Sequence, residues 1–408
     1  MKRFYVLFLS LILILGLAGA AYATNGDNLI GIGPIARSMG GVGIAAPQDA
    51  ISAVFANPAA MCFGPYCPGS QFDFAGTVFD PKVTAKVTTP MGTVTSDSQF
   101  EPFVIPAVGI STGIGAKGRF GIAAYGVSGL GVDYRGVDFF PDALGAQFAG
   151  TNDIYTQLQI MKFAPNFAYL LTDNFSVGAS VHVNFANLDL QNGSSHDYSM
   201  GVQLGAIYKM GPVSLGLNYV SPQEATHRRV ADLDMDGSLD ALDLESPQKV
   251  GFGVAYEAGK LLVEGNVTWV NWSDASGYDA FDWDDQWVYA IGAQFKPVDR
   301  LALRAGFNYA ENPVNEHAGW NPAGAVNIQG KMVPEFNYEF LRTIGFPAIV
   351  ESHLTLGVGY EITDRLIVNA GYMHAFENSI SESDVSGSFK FESELSEDSV
   401  EFGLSWRF

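Results

Sequence analysis

The stretch PQKVGFGVAYEA, residues 247–258, sets Val250, Phe252, Val254 and Tyr256 at alternate positions, with Gly251, Gly253, Ala255 and Glu257 between them. Successive side chains of an extended strand point to opposite faces, so this segment has one large apolar face and one small or polar face. The same division runs through Phe175, Val177, Val181, Val183 and Phe185 against Ser176, Gly178, Ser180, His182 and Asn184. It returns with Leu354, Leu356, Val358, Tyr360 and Ile362 against His353, Thr355, Gly357, Gly359 and Glu361. A soluble sandwich alternates too, with its large residues turned inward. Alternation alone does not separate the two.

The links between strands do. Short ones, at 115–118, 172–174, 210–212, 258–260, 297–300 and 363–365, take turns with much longer polar segments. Tight turns at one end and long loops at the other are the asymmetry of a transmembrane β-barrel. Fourteen strands are expected near 70–80, 102–113, 119–127, 154–171, 174–188, 198–209, 211–221, 247–257, 259–271, 286–297, 299–311, 351–362, 364–376 and 396–408. The expected fold is all-β, a 14-stranded antiparallel barrel. Its even strand number puts both barrel ends on the periplasmic side, and closure pairs every strand edge within the lipid.

Composition agrees. Hydrophobic residues make up 48% and charged residues 16%, with 46 glycines, which leaves too much apolar surface for water alone to cover. The net charge of −21 argues against a nucleic-acid partner. The chain opens on Met1-Lys2-Arg3, continues apolar from Phe4 to Ala20 and reaches Ala21-Tyr22-Ala23. That order predicts a secretory signal peptide over 1–23, cleaved before Thr24, and hence an exported protein. No later apolar run is long enough for a spanning helix. The closing VEFGLSWRF places Val400, Phe402, Leu404, Trp406 and Phe408 on one face, toward outer-membrane lipid. A last strand ending on Phe resembles the signal read by the outer-membrane barrel assembly machinery, and a monomer is expected.

Residues 24–68 are different. The run TNGDNLIGIGPIARSMGGVGIAAPQDAISAVFANPAAM does not alternate, is too rich in Gly and Pro for a long helix, and is too small-residue-rich to bury a core of its own. It is expected to borrow one, as a plug inside the lumen of a barrel formed by 69–408. The segment GIGPIARSMGGVGIAAPQDAISAVFANPAAM resembles the N-terminal hatch of FadL-type outer-membrane transporters, with Asn57-Pro58-Ala59 matching the hatch motif. FPAIVESHLTLGVGYEIT resembles later barrel strands of that family. The resemblance implies passive uptake of long-chain fatty acids or aromatic hydrocarbons, ligand capture by external loops, and a kinked third strand that opens the wall sideways. The matching strand here is RFGIAAYGVSGLGVDYRG, where Gly126, Gly129 and Gly131 permit a bend or bulge or simply lead the strand into a loop.

Cys62 and Cys67 follow the Asn-Pro-Ala triplet directly, and the oxidising periplasm predicts a disulfide between them. Gly109-Ile110-Ser111-Thr112-Gly113 fits the nucleophile-elbow pattern, but no helix follows it. The six histidines show neither metal-ligand spacing nor a carboxylate or serine partner, and His182 and His353 fall on the lumen face. A barrel enzyme therefore finds little support, and a general porin for polar solutes is the main alternative to a hydrophobic-substrate channel.

Two loops carry the expected ligand contacts. GLGVDYRGVDFFPDALGAQFAG holds Phe139, Phe140, Leu144 and Phe148 outside the membrane. The segment at 312–350 adds Trp320, Met332, Phe336, Phe340 and Phe346, together with Lys331 and Arg342, which either hold a ligand carboxylate or pair with nearby Glu335 and Glu339. Finally, DLDMDGSLDALD at 232–243 reads as a calcium loop, with Asp232, Asp234 and Asp236 at its first, third and fifth places, Gly237 for the turn, and the Ser238 carbonyl, Asp240 and Asp243 completing it. A structural Ca2+ in an external loop is the expectation.

Overall fold

The computed structural model describes residues 24–408 except 101, 141–152 and 191–192. The expected signal peptide lies outside the described residues. Fourteen strands form the wall: β1 Gln71–Thr89, β2 Phe103–Ile114, β3 Gly118–Asp133, β4 Tyr155–Thr172, β5 Phe175–Asp189, β6 Ser194–Met210, β7 Val213–Val220, β8 Gln248–Ala258, β9 Leu261–Asn271, β10 Gln286–Val298, β11 Leu301–Ala310, β12 Ser352–Glu361, β13 Leu366–Asp384 and β14 Lys390–Arg407. Each is antiparallel to the next, and β14 returns to β1 from Lys390↔Thr88 to Arg407↔Gln71. The barrel is closed, as expected.

The large face looks outward. Phe252, Val254 and Tyr256 are exposed on the outer surface while Ala255 between them is buried, and Val400, Phe402, Leu404, Trp406 and Phe408 are likewise exposed. In lipid that surface is the stable one. β1, β3, β13 and β14 run past the expected limits and form a collar, extended by the hairpin strand Gly92–Asp97 on β1.

Residues 24–62 fill the lumen with the short pairs Thr24–Asn25 and Asn28–Leu29, helix α1 Gly33–Arg37, helix α2 Ala50–Ala56 and a 3₁₀ turn Pro58–Cys62. α2 begins at Asp49, whose carboxylate accepts from the Ser52 N–H at 2.7 Å. The segment is held by the wall as much as by itself. Arg37 Nε donates to Glu401 at 2.8 Å, Glu264 accepts from the N–H groups of Ala45 and Ala46 at 2.8 and 3.1 Å, and Asp73 accepts from Ala50 N–H at 2.7 Å. Asn57, fully buried, donates to the carbonyls of Ile44, Ala206 and Leu217 and accepts from Ala59 N–H. The small wall residues now have a reason. A Cβ on Gly205 would overlap the Asn57 amide, and one on Gly306 would overlap the backbone of Met39 and Gly40.

The disulfide expectation is corrected. Cys62 and Cys67 are both free, because the chain turns Cys67 Sγ onto the Met61 carbonyl at 3.2 Å while Cys62 is buried at the end of the 3₁₀ turn.

Candidate functional site

Among the described residues, the wall is broken between β2 and β3. β3 pairs with β2 only from Ala107↔Tyr125 to Ile114↔Gly118, although β3 continues to Asp133 along β4. Phe103–Pro106 of β2 keep β1 as a neighbour and have none on the other side. Pro106, which has no N–H to give to a ladder, stands directly after the last paired position. On β3 the register with β4 shifts between Gly126 and Ser128, a bulge that carries the strand away from β2. Gly126 and Gly131 are needed there, since a Cβ on the first would meet Ile105 at 2.6 Å and one on the second would overlap the Thr156 carbonyl.

An apolar cavity of about 180 Å³ occupies the break. Phe79, Val83, Phe103, Ile105, Leu158 and Ile160 line it from the wall, and Leu29 lines it from the plug. Val104 and Met161, also in its lining, are 72% and 37% exposed on the outer surface, so the rim reaches the lipid side. The plug follows the break: Asn28 pairs with Ser128, and Gly129 N–H donates to the Asp27 carbonyl at 3.2 Å.

Leu29 also lines a second cavity, of about 130 Å³, in the lumen. Its walls are mixed: Phe55, Tyr125, Val127 and Val270 beside Lys162, His182, Lys249 and Asn218. Lys162 Nζ lies 3.2 Å from His182 Nδ1, and Lys249 Nζ donates to Asn28 Oδ1 at 2.6 Å. Among the described residues neither lysine forms an ion pair with a carboxylate, whereas Lys331 and Arg342 do. His353 also faces inward, toward the Thr24 carbonyl at 3.0 Å. Toward the outside, a smaller cavity of about 40 Å³ shares Leu130 and Leu158 with the lateral one and adds Leu244, Phe281, Arg342 and Phe346.

The loop residues expected to capture ligand divide. Phe139, Phe140, Phe336 and Phe340 do come together, with ring centroids 6.1 Å apart for Phe139–Phe340 and 5.1 Å for Phe140–Phe336, and Phe391 and Trp320 join them. All four are buried, so the cluster packs on itself and roofs the lumen. Leu144 and Phe148 lie outside the described residues, and Met332 is exposed away from the cavities. Neither expected cation is free to hold a ligand carboxylate. Lys331 is paired with Asp234 and Asp240, and Arg342 with Glu339 and Glu382. Periodicity assigned Lys162 and Lys249 no special role; Pro106 inside a strand pattern was the available signal for the break.

The acidic loop is partly assembled. Asp232, Asp234 and Asp240 bring carboxylate oxygens within 4.8 Å of one another. Asp232 also accepts from the N–H groups of Asp236 and Gly237, closing the turn. Asp236 is turned onto Ser238, and Asp243 sits in the strand Asp240–Ser246 with its N–H on Gln329. The Lys331 ammonium stands where a cation would.

Solved structures share this architecture. The Pseudomonas putida toluene transporter TodX matches at 20% identity and a TM-score of 0.68, covering 93% of this chain and 99% of that one. The Ralstonia pickettii toluene transporter TbuX matches at 18% identity and 0.63, covering 93% and 98%. A Pseudomonas aeruginosa FadL homologue matches at 16% identity and 0.66, covering 96% and 99%. No curated protein matches the sequence. Over residues 18–262 the chain fits the family described as outer membrane protein transport protein (OMPP1/FadL/TodX), and with the plugged, laterally broken barrel in view it belongs to that family of outer-membrane transport proteins.

Proposed function

We propose that the protein admits hydrophobic small molecules through the outer membrane, and that the apolar cavity at the β2–β3 break carries them. The observation behind this reading is the cavity itself: a polar-solute porin gains nothing from an apolar chamber open toward lipid, whereas a molecule that partitions out of water can use it in either direction. Similar structures include toluene transporters and a FadL homologue, which leaves open whether the cargo is a hydrocarbon or carries a charged end. The lumen cavity favours the second. Lys162 and Lys249 are buried there with no carboxylate in ion-pair contact, Asp27 acting on Lys249 only from farther off, which costs desolvation energy that a ligand carboxylate would return. The cargo is then an apolar body ending in a carboxylate, held by the two ammonium groups beyond Leu29. Uptake of radiolabelled octanoate and toluene by cells bearing Lys162→Met with Lys249→Met tests this: octanoate uptake falls and toluene uptake does not. Equal loss of both would remove the lysines from ligand recognition.

Calcium in the 232–243 loop is a further proposal, supported by the spacing of the aspartates and the approach of Asp232, Asp234 and Asp240. The ion would take the place of the Lys331 ammonium. Calorimetry on the purified protein should show one site, lost in Asp232→Ala with Asp240→Ala; unchanged binding in that variant refutes it. The reading also includes a cleaved leader at 1–23, delivery by the barrel assembly machinery through the terminal Phe408, and a monomeric barrel.

A further inference from the structure

The external links contain a constellation that the ligand path does not use. His317 lies between β11 and β12, with Nδ1 2.8 Å from Glu339 Oε1 and Nε2 2.8 Å from Asp282 Oδ2. Ionised carboxylates only accept, so holding both contacts at once calls for hydrogen on both ring nitrogens, the imidazolium form, while Arg342 Nη1, which can only donate, competes for Nδ1. Asp282 belongs to the link between β9 and β10; Glu339 belongs to helix α3, Glu335–Phe340. One charged ring therefore ties two separate parts of the outer surface.

The other groups that face it are fixed. Arg342 Nη1 lies 2.9 Å from His317 Nδ1 and pairs with Glu339 at 2.8 Å and with Glu382 of β13 at 2.9 Å. Glu382 also accepts from the His317 N–H at 3.1 Å and from Thr343, and the Tyr338 ring stacks 6.1 Å from the imidazole. Three carboxylates thus share the permanent charge of Arg342 and the conditional charge of His317. The tie stands at the small outer cavity. Phe281, the neighbour of Asp282, lines that cavity with Arg342 and Phe346, and Arg342 Nε donates to the Phe281 carbonyl at 2.8 Å.

We propose that His317 is a proton-operated clasp on the outer mouth of the ligand path: with its proton it bridges Asp282 and Glu339 and tightens the 272–285 link against helix α3, and without it one end of that bridge is lost, the link is left on the Arg342–Phe281 bond and the mouth loosens. The movement stands apart from the uptake reading; its effect on flux rests on that reading.

The direction follows from the surroundings. The hydrogen bond to Glu339 holds His317 above its ordinary 6.5 against the opposing effect of burial, and the bond to Asp282 adds to it while Arg342 subtracts. A group whose folded value is raised gives its stabilisation in full below 6.5 and loses it as pH rises through the folded value, so the clasp opens on the alkaline side. Burial alone would raise Glu339, but His317 and Arg342 outweigh it and keep it a carboxylate throughout. Burial raises Glu382, with Arg342 opposing. That group faces Arg342, Thr343 and the His317 backbone N–H, is raised further by Glu339, and does not touch Asp282, so its own titration persists in the His317 variants and is read there apart from the clasp.

The test uses the full chain in a Cys62→Ser, Cys67→Ser background with spin labels at Asp279→Cys and Asn337→Cys. The interlabel distance is followed against pH, alongside uptake of toluene, a probe with no titratable group. The distance should lengthen with a midpoint above 6.5, and uptake should rise over the same interval. His317→Gln should show the long distance at every pH, and His317→Arg, which keeps its charge, the short one into the alkaline range. A wild-type distance that ignores pH, or a His317→Gln profile identical to wild type, overturns the clasp. If the distance moves as stated and toluene never enters, the clasp stands and the uptake reading falls.

Discussion

At the scale of single residues, the plug is held by polar groups whose partners lie on the wall. Asn57 is the clearest case, with an amide that donates to carbonyls of the plug and of two wall strands and accepts from Ala59 N–H. Replacing a buried donor leaves its partners unpaired, at about 1–3 kcal/mol for each group stranded. Asn57→Asp is the severer change, because it aims an acceptor at three acceptors in a fully buried place. We expect that variant to assemble its barrel, whose ladder is untouched, while the plug loosens. Single-channel recordings in planar bilayers read the difference as ion leakage beyond the near-silent wild type. A silent Asn57→Asp barrel would show that the triplet does not anchor the plug. Asn57-Pro58-Ala59 was identifiable only by family resemblance, since nothing in its local spacing says that its side chain reaches across a lumen.

At the scale of elements, legibility tracked the membrane. The stretch expected at 247–257 is β8, Gln248–Ala258, because lipid on one side and a small-residue lumen on the other enforce strict alternation through the hydrocarbon layer. The misses lie beyond that layer. β1 was expected to stop at 80 and runs to Thr89; β13 was expected to stop at 376 and runs to Asp384. Out there the inner face, with Val83, Ala85 and Val87, packs into the aromatic cluster while the outer face meets water and is charged, as where Lys86 faces Glu392 across β1 and β14 at 3.0 Å. The period of two continues there with its sense reversed, apolar inward and polar outward, so it no longer matches the lipid-facing pattern that marks the rest of the strand. The bulge on β3 was half legible: its glycines permitted it, but the same glycines also suited a strand end, and only the loss of the β2 partner decides between them. The partners of Lys331 and Arg342 were hidden for a related reason. Lys331 and Arg342 sit among aromatic residues in the sequence, yet the fold brings Asp234 and Asp240 to the first, and Glu382 of β13 with the helical neighbour Glu339 to the second. Lys162 and Lys249 occupy ordinary positions of an alternating strand, and only closure of the barrel brings them to one cavity.

At the scale of the whole molecule, a wall of fourteen strands encloses more space than its own small inward side chains can fill. The chain solves this by folding its N-terminal residues 24–62 inside, where Met61, Val54 and Ile51 become part of one core with wall residues such as Ala107, Ala164 and Ile207. The plug therefore has two consequences that should separate on removal. It is expected to block water and ions, and Leu29 stands between the lateral cavity and the lumen cavity, lining both. Deleting 24–60 from a barrel that still inserts should open a polar pore, read as swelling of proteoliposomes in isotonic sugar, which the intact protein resists. The same deletion should abolish preference among hydrophobic probes, because no side chain then separates the two chambers. Swelling equal to that of the intact protein would mean that some other segment closes the lumen, and the assignment of 24–62 as the plug would have to be withdrawn.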